Sequence, residues 1–161
     1  MFALGAAYDR DGQTALGLAQ MRALLALNPD HAEAMNFVGY ALAEQGVNLG
    51  EAERLVRRAL ELKPRSGHIL DSLGWILFRR GDARGAVPLL EQADALSGPD
   101  PTILEHLGDA YLAVDRPGEA AQAYRRALAA SDEDELPSER AKQRASVARK
   151  LRELSGGRVA R

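Results

Sequence analysis

Asp71-Ser72-Leu73-Gly74-Trp75-Ile76-Leu77-Phe78 carries the signal that decides the fold, because its Leu-Gly centre recurs along the chain. Val38-Gly39 and Leu107-Gly108 repeat it, and Leu4-Gly5 begins the series. The glycines Gly5, Gly39, Gly74 and Gly108 stand 34, 35 and 34 residues apart. A period of that length is one helix-turn-helix unit per repeat, and such a unit buries its apolar face only against its neighbours. The chain is therefore expected to be all-α and to grow along one axis.

The rest of each unit follows the same frame. A small residue comes twelve positions after the glycine, thirteen in the second unit: Gly17, Ala52, Ala86 and Ala120. A larger side chain follows four further on, at Met21, Val56, Leu90 and Tyr124. Leu24-Leu25, Ala59-Leu60 and Ala127-Leu128 come next, and Pro29, Pro64 and Pro99 close the first three units. Glycine and small residues let the first helix (A) of a unit approach its second helix (B) and the next unit closely. Proline ends helix B because it lacks a donor and biases the residue before it away from the helical region.

This pattern resembles the tetratricopeptide repeat over residues 1–130. The resemblance implies a right-handed α-solenoid of four units, about 1–29, 30–64, 65–99 and 100–130. An acidic linker over 131–137, a C-terminal capping helix over 138–155 and a tail over 156–161 complete the expected domain plan. Val147, Leu151 and Leu154 form the narrow apolar stripe by which that last helix covers the end of the array.

Local signals place the helices. Asp30 with Glu33, and Asn48 with Glu51, read as capping-box starts of helices 2A and 2B. Ser66 and Asp82 read as caps of 3A and 3B, and Asp100 caps 4A with Pro101 at its first position. Pro88 lies past the first turn of 3B and is expected to cost a hydrogen bond and bend it. Gly46-Val47-Asn48-Leu49-Gly50 holds one residue more than the family spacing, a loop event. Asp115-Arg116-Pro117 replaces the usual glycine of the last inter-helix turn. In this register Met1 falls at the fourth position of helix 1A, so the natural chain is expected to begin earlier; Phe2, Leu4 and Tyr8 then form an apolar edge suited to self-association.

Composition narrows the chemistry. The chain has 161 residues, 46% hydrophobic and 27% charged, with no cysteine and a formal net charge of −2. A disulfide framework, a zinc knuckle and a thiol nucleophile are excluded. No apolar run approaches the ~18 residues of a membrane span. Residues 1–130 carry 13 basic and 17 acidic groups, whereas residues 137–161 carry eight basic and two acidic ones. The basic residues Arg140, Lys142, Arg144, Arg149, Lys150 and Arg152 lack interleaved aromatics for base stacking, so they are read as solvating a capping helix or pairing with nearby acids. No nucleic-acid partner is expected.

Catalytic and metal readings are weak. His31, His68 and His106 fall in three different units, without an i, i+4 pair. His68, Asp71 and Ser72 supply the residue types of a hydrolytic triad, but neighbours on one helix do not converge on a bound carbonyl and no oxyanion donors accompany them. No catalytic residue, metal or cofactor is expected, and the chain is read as a non-enzyme.

The resemblance places the informative residues on the inner face of the A helices. The family's concave groove is lined by positions 2, 5, 9, 12 and 13 of each unit. Those are Glu33, Asn36, Tyr40, Ala43 and Glu44 in the second, His68, Asp71, Trp75, Phe78 and Arg79 in the third, and Thr102, Glu105, Asp109, Leu112 and Ala113 in the fourth. Asn36, Tyr40, His68, Asp71, Trp75, Phe78, Arg79, Glu105 and Asp109 are the expected partner-binding set. An aromatic patch bordered by carboxylates suits a peptide with an apolar anchor and a basic residue; the structural alternative is that Trp75 and Phe78 are half-buried between A helices. Family members that clamp a chaperone's terminal carboxylate use Lys and Asn where this chain has residues such as Phe2, Ala6, Phe37 and Ser72, so no such tail is expected to bind. The resemblance thus implies an adaptor for a protein or peptide partner, with homo-oligomerisation through the N-terminal edge as the second reading. The repeat phrases resemble those of bacterial multi-repeat proteins. They imply a bacterial cytoplasmic protein or, with a signal in a longer chain, a periplasmic or outer-membrane-associated one.

Overall fold

The structure, a computed structural model, describes residues 1–130 and 138–156, together with the side chains of those residues other than 138 and 139. Among them are nine α-helices and no strand: α1 (Phe2–Arg10), α2 (Thr14–Leu27), α3 (Ala32–Gln45), α4 (Leu49–Leu62), α5 (Gly67–Arg79), α6 (Ala83–Ser97), α7 (Pro101–Ala113), α8 (Pro117–Ala130) and α9 (Ser138–Gly156). The expected acidic linker lies outside the described residues. Each helix packs on the next in chain order, and α5 also touches both α3 and α7. The A helices thereby form one inner row. No described helix is long and apolar enough to cross a membrane.

Close approach within a pair is set by the repeating glycine. A Cβ on Gly108 would lie 2.3 Å from Cε1 of Tyr124, and one on Gly39 would lie 2.3 Å from Cγ2 of Val56. These partners, Tyr124 and Val56, are fully buried, as are Met21 and Leu90 at the same position of the other units. The turn from A to B is also periodic. Gly12, Gly46 and Gly81 sit there with positive φ, and Asp115 adopts φ 59° at the equivalent place in the fourth unit. Asp115 therefore supplies the left-handed residue that glycine supplies elsewhere, since Asp tolerates this region better than most residues.

Ser66, Asp82 and Asp100 cap as expected: Ser66 Oγ accepts from the Ile69 N–H, Asp82 Oδ1 from Gly85 at 2.9 Å, and Asp100 Oδ1 from Thr102 and Ile103 at 2.8 and 3.1 Å. The second unit departs from its expectation. Helix α3 starts one residue later, with His31 as its cap; His31 Nδ1 accepts from the Ala34 N–H at 3.3 Å. Asp30 is instead ion-paired to Arg58 of α4, and Glu33 to Lys63 just past the end of α4. Asn48 holds the cap position of α4 but makes no side-chain cap bond. Its φ of 49° absorbs the extra loop residue, and Glu51 pairs with Arg22 at 2.8 Å. Helix α6 runs on through Pro88.

The far end is closed by α9. Val147 is 2% exposed, and Leu151 and Leu154 pack beside it on the core built from α6, α7 and α8. The Arg144 guanidinium donates to the Leu128 carbonyl at 2.7 Å, satisfying an acceptor in the last turn of α8.

Candidate partner-binding groove

Residues three and four apart on a helix share a face, so the polar and aromatic positions of α3, α5 and α7 line up as parallel rows along the inner surface. Two adjoining open pockets occupy this surface. One, of about 680 Å³, is lined by Asp9, Phe37, Tyr40, Ala41 and Glu44 among others. The next, of about 530 Å³, is lined by Tyr40, Glu44, Trp75, Glu105, His106 and Asp109 and by residues of α9. Tyr40 and Glu44 belong to both, so the two form one groove, more apolar toward α1 and more charged toward α9.

Trp75 sits at the centre. Its indole N–H donates to Glu44 Oε1 at 2.6 Å, which ties α5 to α3. Its ring stacks on His106 of α7, with centroids 4.1 Å apart and planes 11° apart, and on Phe78 at 5.0 Å and 10°. Arg79 places its guanidinium carbon 5.6 Å from the Trp75 ring and donates to the Glu44 carbonyl at 3.2 Å, one of the acceptors that a helix end leaves without an intrahelical partner. Tyr40 approaches the same imidazole, its ring 6.2 Å from that of His106.

Beneath this aromatic layer lies a buried pair. His106 Nδ1 is 2.9 Å from Asp71 Oδ1; the residues are 6% and 5% exposed. Burial disfavours a charged imidazole, but the Asp71 carboxylate outweighs it, with Glu44 and Asp109 adding to the effect, and the His106 pKa is raised above the ordinary histidine value. For the Tyr40 phenol burial acts in the other direction and raises the pKa, helped by Glu44, Asp71 and Glu105, so Tyr40 stays a neutral hydroxyl.

The charged end of the groove is organised by α9. Lys150 Nζ lies 2.8 Å from Glu105 Oε1 and 2.7 Å from both carboxylate oxygens of Asp109. Asp109 also accepts from the Tyr124 hydroxyl at 2.5 Å. Burial lowers the Lys150 pKa, yet the bonds to Asp109 and Glu105 dominate and raise it. Gln143 meets Thr102, Ser146 meets Glu105 and Lys150 meets Asp109, each across 41 residues. That constant offset shows α9 to be a fifth inner helix in register with α7. At the same offset from Gly108 stands Arg149, which is exposed, so α9 lacks the glycine of the other inner helices.

Of the expected binding set, the central pocket gathers Tyr40, Trp75, Glu105 and Asp109. Phe78 and Arg79 flank Trp75 rather than face the pocket. Asp71 is beneath the surface, committed to His106, and His68 is exposed outside the pocket. Asn36 is half-buried, and its Oδ1 has no hydrogen-bond partner among the described residues. Ala43, also expected on the groove, is fully buried: its position faces the core in this helix. The residue types of a triad do not meet, since the Ser72 hydroxyl donates to the His68 carbonyl and Asp71 points to another helix. The roles of His106 and Lys150 emerge only in three dimensions.

The family model for the tetratricopeptide repeat matches residues 2–67 and 72–135. The chain belongs to the tetratricopeptide repeat family. A TPR repeat-containing protein of Pseudomonas aeruginosa is 42% identical over 96 residues, which is 57% of this chain and 16% of that protein. The chain thus spans a small part of that relative. Among solved structures, a thermophilic TPR protein of Thermus thermophilus superposes with a TM-score of 0.73 at 24% identity, covering 93% of this chain and 79% of that one. The type III secretion translocator chaperone SycD of Yersinia enterocolitica superposes at 0.70 with 14% identity, covering 81% of this chain and 88% of that one. Both likenesses establish the fold. The tetratricopeptide fold commonly serves protein–protein interaction, and the array described here has that fold.

Proposed function

We propose that the chain is a non-enzymatic adaptor that holds a segment of a partner protein in its concave groove. The observation that carries this reading is the row of Tyr40, Glu44, Trp75, Glu105 and Asp109 from three successive A helices around two adjoining pockets. Large aromatic side chains held rigid by their own contacts make good interface anchors, because little freedom is lost on binding. Trp75 is fixed by Glu44, His106 and Phe78 before any partner arrives. The carboxylates of Asp9, Glu44, Glu105 and Asp109 exceed the lysines Lys142 and Lys150 along the groove, so the fitting partner presents an apolar side chain toward Phe37 and Tyr40 and a basic one toward Glu44.

The test is affinity capture from the source organism's lysate with the wild-type chain and a Trp75→Ala, Glu44→Lys variant, each checked for helicity by circular dichroism. Removal of a central aromatic anchor typically costs about 2 kcal/mol or more, about thirtyfold in affinity. A partner retained only by wild type supports the groove. Equal retention by both variants contradicts it. A second reading, self-association through α1 and α2, rests on the exposed Phe2, Leu4, Leu16 and Leu27, which are 36%, 48%, 48% and 76% accessible. It predicts a concentration-dependent mass that Leu4→Glu abolishes and Trp75→Ala leaves unchanged.

A further inference from the structure

The Asp71–His106 pair lies directly under the aromatic layer of the groove, and it joins three helices that come from three different units. His106 is on α7, Asp71 and Trp75 are on α5, and Trp75 is bonded in turn to Glu44 on α3. The imidazole has one nitrogen on a carboxylate and one face against an indole. Those contacts suit its cationic form, which gains both an ion pair and a cation–π interaction. The groups facing it are Tyr40 and Glu44 from α3, Asp71 and Trp75 from α5, and Asp109 from its own helix; Lys142 and Lys150 of α9 line the same pocket.

We propose that His106 is a proton switch for the groove: its protonation clamps Trp75 between α3 and α7, and its deprotonation releases that clamp and leaves the groove floor one charge more negative. The inference rests on the groove being the binding surface and adds its regulation. In the protonated state the imidazolium neutralises Asp71 and holds the indole face. After the proton leaves, Asp71 keeps a neutral N–H donor, the cation–π attraction to Trp75 is lost, and a basic partner segment meets a more acidic floor. The direction of the His106 shift places this transition above the ordinary histidine value of about 6.5.

Trp75 is the only tryptophan of the chain, so its fluorescence reports the event without a label. A stacked imidazolium quenches an excited indole by accepting an electron from it, whereas a neutral imidazole does so far less. The experiment is a titration of the full chain between pH 5 and 9, followed by Trp75 fluorescence and by the NMR signals of the His106 ring and the Tyr40 and Glu44 amides. Wild type is expected to brighten through a single transition whose midpoint matches that of the His106 ring and of both amides. Asp71→Asn lowers the midpoint by about one pH unit, the scale on which removal of a neighbouring carboxylate acts. His106→Gln removes the transition, and this control separates His106 from His31 and His68. A flat wild-type profile, a transition that survives in His106→Gln, or an Asp71→Asn midpoint equal to wild type overturns the proposal. If His106→Gln does not fold, the ring midpoints of wild type and Asp71→Asn decide it. No partner is present in these assays, so their failure leaves the capture result standing, and failure of the capture leaves this result standing.

Discussion

Replacing Gly108 by alanine sets two effects against each other, and the structure says which wins. A helix interior favours alanine over glycine by about 1 kcal/mol. The new Cβ, however, would stand 2.3, 2.6 and 2.8 Å from Cε1, Cδ1 and Cζ of Tyr124. That ring is fully buried, and its hydroxyl is held by Asp109 at 2.5 Å, so it cannot swing aside as a flexible chain end would. Overpacking of this kind costs about 1–3 kcal/mol, and contacts this short belong at the upper end. The expected net loss is about 2 kcal/mol, or roughly 4–8 °C in Tm for a chain of this size. Gly118→Ala is the matched control, since no atom lies within 4 Å of its added Cβ. It is expected to hold or raise stability by up to about 1 kcal/mol. Thermal and urea unfolding followed by circular dichroism measure both. On a Tyr124→Leu background the penalty of Gly108→Ala should shrink by about 1 kcal/mol or more, because a branched chain can yield. A Gly108→Ala protein as stable as wild type, or a penalty unchanged on that background, would refute the close-approach argument.

Other expectations follow from single contacts. Asp100→Ala removes an acceptor used by two N–H groups at the start of α7 and should cost about 1 kcal/mol, read from the urea midpoint. Val147→Asp puts a carboxylate into the apolar seat of α9 and should expose the amides of α9 to hydrogen exchange, while those of α3 and α4 stay protected. Stability should also fall as pH rises through the raised His106 pKa. The folded state binds that proton more tightly than the unfolded chain does, so the contribution is complete below about pH 6.5 and lost above the folded value. Urea midpoints at pH 6 and pH 9 measure it, and His106→Gln should flatten the difference.

Much of the fold was legible because its signal is local and repeated. A glycine every 34 or 35 residues, a small residue after it and a proline at the end of a unit report how close two helices come and where the chain must turn. Caps such as Ser66, Asp82 and Asp100 are read from a few neighbouring residues. At His31 the same reading missed by one residue, because an imidazole nitrogen took the acceptor role usually given to Asp. The groove was legible only as a set of positions. Which side chains stay open depends on the neighbouring unit: Asp71 looks like a groove acid until His106, 35 residues on, is seen to bind it. Lys150 was harder still. Its helix lies 41 residues from α7, seven beyond the period, and lacks the glycine, so only the polar spacing of Gln143, Ser146 and Lys150 carries the register.

The most direct test of the groove is a photo-crosslinking scan in cells of the source organism. A benzophenone amino acid replaces either Tyr40, which lines both pockets, or Arg57, exposed on α4. A discrete adduct with a second protein is expected from position 40 and none from position 57. An adduct from position 57 alone, or the same adducts from both, would contradict the claim that the concave groove holds the partner.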